Sequence, residues 1–262
     1  MEPITTVGAG LAILGSKDIL NKILGPTADY IGTEAQGFVQ KCNINLDNIF
    51  VSAKRKLGPR MEEPGQVNPR VLKHILDEGR FCEDDLLVEY YGGVLASSKT
   101  KNGRDDRGAV LAGTIKDLSA YQVRLHYLCY YLVNKLFKEK KVNIGTEFSH
   151  MKIYIPIEVF LAAMDFSEGE DPGGILIHSI NGLVKHDLLG SDCRYGSKQF
   201  LSSVYEGAQS NGMVLEPSVH GAELFLWANG VKGASGHEIS DGSFSVGAPD
   251  ITVIEGAAPI HG

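Results

Sequence analysis

The chain has 262 residues, 43% of them hydrophobic and 22% charged, with a formal net charge of −7. That length and apolar content suffice for one or two packed domains and exclude wholesale disorder. Residues 1–140 carry 19 Lys+Arg against 17 Asp+Glu, whereas residues 141–262 carry 6 against 15, so the second half is poorly equipped to neutralise phosphates and nucleic-acid binding is disfavoured.

In chain order, Ile4, Val7, Leu11 and Leu14 fall on one face of a helix. The apolar run Val7–Gly15 is too short to span a bilayer, and the start lacks the basic region of a signal peptide. Ser16 N-caps a second short helix that stops at Gly25-Pro26. Helices are predicted over 27–41 and 46–57, the latter burying Ile49, Phe50, Ala53 and Leu57. A Pro/Gly loop over 58–66 precedes Asn68-Pro69, an N-cap followed by proline at the first helical position. That helix stops at Gly79. Glu83, Asp84 and Asp85 open the next, where negative charge suits a helix N-terminus. A charged loop, 98–107, leads into a helix with Val110, Leu111 and Ile115. Ser119 and Gln122 form a capping box for the longest helical pattern, about 120–140.

The pattern changes after Lys141. Residues 151–156 read as a short strand, 157–164 and 175–189 as helices, and 198–205 and 213–226 as strands around a turn at Ser210–Gly212. This order predicts a mainly α protein: a helical body over 1–142, a small α+β, winged-helix-like unit over 146–230, and a Gly/Ser/Ala-rich tail over 231–262. Within the tail, Ile251–Ile254 suits an edge strand. Four cysteines, Cys42, Cys82, Cys129 and Cys193, show no paired spacing, which predicts reduced thiols in a cytoplasmic protein rather than a disulfide scaffold or zinc site.

The segments Ile23–Gly32 (ILGPTADYIG), Asn68–Gly79 (NPRVLKHILDEG), Glu83–Leu87 (EDDLL) and Gly93–Ser98 (GVLASS), with Asp105–Gly108 (DDRG), Leu118–Gln122 (LSAYQ) and His126, resemble the bacterial abortive-infection alpha (Abi-alpha) family. The resemblance covers about residues 16–140 and, more weakly, 175–228. The chain departs from the family at Tyr90-Tyr91-Gly92, where members often carry a Trp-Ala pair, and after residue 230 it has no counterpart. The resemblance implies a role in phage defence, often by stopping growth of the infected cell, and carries over no catalytic residue.

No G-x-S-x-G, Walker A or H-E-x-x-H motif is present, so catalytic residues are not assigned and no metal or cofactor is expected. Three groups remain as candidates. Arg104, Asp105, Asp106 and Arg107 form either a functional loop or a helix start with local ion pairs, the second being favoured. Glu83, Asp84 and Asp85, with Glu89, either hold a cation or complement a helix dipole, again with the second favoured. His178, Lys185 and His186 lie on the helix that a winged-helix-like unit would present to a partner, and the acidic surroundings point to protein rather than nucleic acid. His126 and Trp227 are expected in the core. The resulting expectation is a defence component that recognises a phage or host protein, or self-associates, through its helical body, as a homo-oligomer. A toxin-like nuclease or nucleotide-processing enzyme using the acidic groups is the alternative. A membrane-acting effector using the N-terminal helix is a further one, which the lack of cations on that helix disfavours.

Overall fold

The computed structural model describes residues 44–82, 84–138, 140, 142–241, 246 and 257–260. The expected helices before residue 44, Cys42, Glu83 and the 251–254 run lie outside the described residues. The described chain forms two compact units. One comprises residues 44–117 and 227–233, the other residues 118–226 and those from 234 onward.

The first unit is helical: α1 (Ile44–Leu57), a 3-10 turn (Gly58–Met61), α2 (Pro69–Gly79), α3 (Asp85–Ser97) and α4 (Arg107–Lys116). The termini follow local rules. The Asn68 side chain caps α2 by accepting from the Arg70 N–H at 2.9 Å, with proline at the first helical position. Asp84 caps α3 by accepting from the Leu86 and Leu87 N–H groups. The core holds Ile49, Ala53, Val71, Leu72, Ile75, Val94 and Ala112, all nearly inaccessible.

Two adjacent glycines set how closely α3 is approached. A Cβ on Gly92 would lie 2.6 Å from the Ser52 side chain on α1. One on Gly93 would lie 1.8 Å from the carbonyl oxygen of Ala228. The segment 227–233 thus packs against bare backbone. Trp227 is fully buried, and its carbonyl accepts from the Ser97 hydroxyl at 2.9 Å. Cations finish the polar bonding. Lys56 donates to the Ala228 carbonyl at 2.8 Å and to the Glu89 carbonyl at 2.6 Å, and pairs with the Glu89 carboxylate at 2.9 Å. Arg60 donates to the Gly230 carbonyl at 2.6 Å. Carbonyls at a helix C-terminus lack intrahelical donors, and cations complement the dipole there.

The second unit begins with α5 (Ala120–Phe137) and continues through a short α6 (Ile144–Glu147), a 3-10 turn (Phe148–Met151), β1 (Ile153–Pro156), α7 (Ile157–Met164), α8 (Pro172–Lys185), β2 (Arg194–Gly196), α9 (Lys198–Leu201), β3 (Gly212–Leu215), α10 (Val219–Ala228, whose last two residues belong to the first unit), a 3-10 turn (His237–Ser240) and β4 (Ala258–Pro259). The strands make an antiparallel sheet in the order β2-β3-β1-β4. Tyr154 lies opposite Val214 and Ile155 opposite Met213, while Tyr195 flanks Met213 from the other side. The predicted capping box is present: the Ser119 hydroxyl accepts from the Gln122 N–H, and the Gln122 side chain accepts from the Ser119 N–H at 2.8 Å.

The mainly α fold with a small α+β part agrees with the sequence reading, and three details differ. The division falls between Asp117 and Leu118, not near residue 142, because α5 packs on α7, α8 and β1. Residues 227–230, expected to end the 146–230 unit, instead join the first unit. Residues 198–205 are not a strand: Ser197 caps a helical turn there by accepting from the Phe200 N–H at 3.3 Å. Of 213–226 only the start is strand. Pro217 ends it, and Ser218 caps α10 by accepting from the Gly221 N–H at 2.9 Å.

Candidate functional site

The helix α8 is amphipathic and fixed at its start by Asp171, whose carboxylate accepts from the Gly173 N–H at 3.1 Å, with Pro172 at the first helical position. Leu176, Ser179, Ile180 and Leu183 face inward. The opposite side exposes Ile177, His178, Asn181 and Lys185, and His186 follows as the half-buried C-cap residue. The β2–β3 connection exposes a second set of large apolar side chains. Ile177 is 43% accessible, Tyr195 37%, Phe200 48% and Val204 44%. Phe200 and Val204 lie one helical turn apart, and a Cβ at Gly196 would lie 3.3 Å from the Phe200 ring.

The ion pairs around this connection are internal. Lys152 pairs with Asp192 and, at 3.2 Å, with the buried carboxylate of Glu216, while Arg194 pairs with Asp192. Hydrogen bonding from Lys152 holds the Asp192 carboxyl below the usual carboxylate range. Arg194 is therefore already paired within the chain.

His178 makes a contact that spacing could not reveal, its Nε2 lying 3.3 Å from the Ser119 Oγ. Gln122 bridges the same two helices, its Nε2 donating to the His178 carbonyl. Ser119 is engaged as an N-cap, and His178 has no carboxylate partner among the described residues. The pair therefore lacks the orienting group that nucleophilic catalysis requires.

The other candidates resolve into local structure. Asp105 accepts two hydrogen bonds from the Arg107 side chain, at 3.1 Å from Nε and 2.7 Å from an Nη, and these hold its carboxyl below the usual range. Asp106 pairs with Arg70 at 3.1 Å. The Arg107 guanidinium also lies over the Trp227 ring, 5.2 Å from its centroid. Arg104 is exposed. Two carboxylates each matched to an arginine do not form an open metal-binding or acid–base pair. The 98–107 segment is less superficial than its charge suggested: Ser98, Lys99 and Gly103 are buried, and Lys99 donates to the Arg60 and Met61 carbonyls at 3.0 and 2.9 Å. Asp84 is used as a cap and Asp85 is exposed. Glu89 pairs with Arg55 and Lys56. Among the described residues no three His, Cys, Asp or Glu side chains gather as a metal site.

His126 is fully buried, with its Nε2 donating to the Gly221 carbonyl at 3.1 Å and its ring 4.7 Å from that of Tyr130. Burial pushes its pKa down to about 3, which leaves it neutral. The Tyr130 hydroxyl donates to the Leu188 carbonyl at 2.8 Å and accepts from the Ser218 N–H at 2.8 Å. Cys82, Cys129 and Cys193 are free thiols, and burial pushes those of Cys82 and Cys193 up to about 11, far from the reactive thiolate range. No described helix is long and apolar enough to cross a membrane. The chain matches no family model, no curated protein and no solved structure.

Proposed function

We infer that this chain is a component of a bacterial anti-phage, abortive-infection defence system, and that it acts by recognising a protein through its second unit. The defence part rests on the Abi-alpha resemblance over about residues 16–140. The recognition part rests on one observation: the exposed sides of α8 and of the β2–β3 connection carry Ile177, Tyr195, Phe200 and Val204 where a phosphate-binding surface would carry cations. The order α5, β1, α7, α8, β2, β3, with the short helices α6 and α9 interposed, and the sheet order β2-β3-β1 support a winged-helix-like arrangement for this unit. In that arrangement α8 is the presented helix and the β2–β3 connection is the wing. Aromatic and aliphatic side chains on such a face suit a protein partner, where a few buried anchors carry most of the binding energy.

A phage challenge at low and high multiplicity of infection tests both parts. The wild-type chain protects at low multiplicity and the culture collapses at high multiplicity. A double variant, Ile177→Asp with Phe200→Asp, loses protection while its Tm stays within about 3 °C of wild type. Absence of protection by the wild type discards the defence reading. Full protection by a folded double variant discards this face as the recognition surface.

A further inference from the structure

The sheet of the second unit is closed at its β1 edge by a short segment of the same chain. β4 is two residues long and pairs antiparallel with β1, Ala258 opposite Tyr154 and Pro259 opposite Ile153. Just beyond, the Ile260 N–H donates to the Lys152 carbonyl at 3.0 Å. Pro259 stands at the non-bonded position opposite Ile153, its nitrogen turned away from β1, so only the residues on either side of it bond to β1 and the outer edge offers no N–H there to a further strand. The side-chain hold of β4 is Ile260, half-buried against a small apolar cluster of Tyr154, Leu201, Ala208 and Val214, with Tyr205 packed beside it.

That cluster is organised without β4. The Tyr154 hydroxyl donates to the Ser210 carbonyl at 2.9 Å and accepts from the Ser210 N–H at 3.1 Å. The Tyr154 and Tyr205 rings lie 5.5 Å apart, and the Tyr205 and Ala208 N–H groups close the turn by donating to the Leu201 and Tyr205 carbonyls. A receptor edge and an apolar seat therefore stand ready, and a short segment fills them.

We propose that the β1 edge, with the Tyr154–Leu201–Val214 cluster beside it, is a strand-addition site for an extended peptide, and that residues 258–260 occupy it in cis. The segment seated there defines the ligand class: a small residue opposite Tyr154, then a proline, then a β-branched aliphatic residue placed on the cluster. Such sites gain affinity from main-chain hydrogen bonds and selectivity from side-chain seats. A partner protein presenting an Ala-Pro-Ile-like segment displaces the chain's own strand, which keeps the site closed until then. Its buried Leu201 and Ala208 belong to the same β2–β3 connection as the exposed Phe200 and Val204 but are other side chains, and the site stands or falls without the defence reading.

The test uses the full chain and a fluorescent peptide of residues 256–262, followed by anisotropy. Ile260→Asp unseats the internal strand, so the variant binds the peptide at least about tenfold more tightly than wild type. A peptide with Asp in place of its Ile does not bind. Ile260→Ala provides a milder opening should the Asp variant lose its near-UV circular dichroism. Peptide binding no stronger in a folded variant than in wild type overturns the proposal. A concentration-dependent wild-type dimer that the peptide dissociates overturns the assignment to a foreign peptide in favour of strand exchange between copies.

Discussion

The two units solve the same problem, satisfying backbone carbonyls where elements meet, by different chemistry. In the first, cations do it. Lys56, Arg60 and Lys99 together donate to carbonyls of Glu89, Ala228, Gly230, Arg60 and Met61. In the second, neutral groups do it, with His126 and Tyr130 serving the carbonyls of Gly221 and Leu188. A fall in pH only favours the charged form of an ammonium, although burial pulls the Lys56 pKa below its ordinary value. A buried imidazole works only while it is uncharged. The first unit should therefore tolerate mild acid, and the second should not.

The most damaging challenge to the first unit is steric. Gly93→Ala places a methyl carbon on the Ala228 carbonyl, which neither backbone can yield, and costs about 3 kcal/mol or more. Chemical denaturation with hydrogen exchange resolved by segment checks this, with the loss centred on residues 85–97 and 227–230. Trp227→Ala costs a similar amount, roughly 3–5 kcal/mol, through the cavity left behind. Lys56→Met strips donors from two carbonyls and a partner from Glu89, for about 3 kcal/mol. Equal stability of Lys56→Met and wild type would break the cation half of the comparison.

For the second unit the decisive variable is pH. Between pH 6.5 and about 3 the unfolded chain binds a proton at His126 that the folded chain refuses. Stability is therefore fully present above pH 6.5 and falls as pH drops, by up to about 1.4 kcal/mol per unit. Denaturation midpoints between pH 7 and 4.5 measure the slope, and His126→Gln flattens it. The smallest expected effect is Ser119→Ala, about 1 kcal/mol for the lost cap, read as a Tm shift.

The helices were legible because their ends are written locally. Asn68-Pro69, Asp84 and the Ser119/Gln122 box each act where the sequence placed them. The 213–226 stretch was not, because Met213–Leu215 and Leu224–Ala228 are both buried on all sides, and uniform burial erases the periodicity that separates strand from helix. Only Pro217 and Ser218 mark the change. Around the candidate site, the helical placement of His178 and Lys185 was readable. The Ser119–His178 contact, the arginine partners of Asp105 and Asp106, and the seat for Ile260 were not all readable, since most join residues tens of positions apart through packing alone. The Arg107–Asp105 pair is the exception, a neighbour interaction anticipated from the DDR spacing.

The discontinuity of the first unit has a consequence for synthesis. Its core is completed by Trp227, about 110 residues downstream of Asp117 where its main stretch ends. At roughly 5–20 residues per second of translation, the helices of residues 44–117 wait on the order of 5–20 s for the tryptophan that fills their gap. During that interval the bare backbone of Gly93 lacks the segment that packs on it, and Lys56 and Arg60 lack the carbonyls of Ala228 and Gly230.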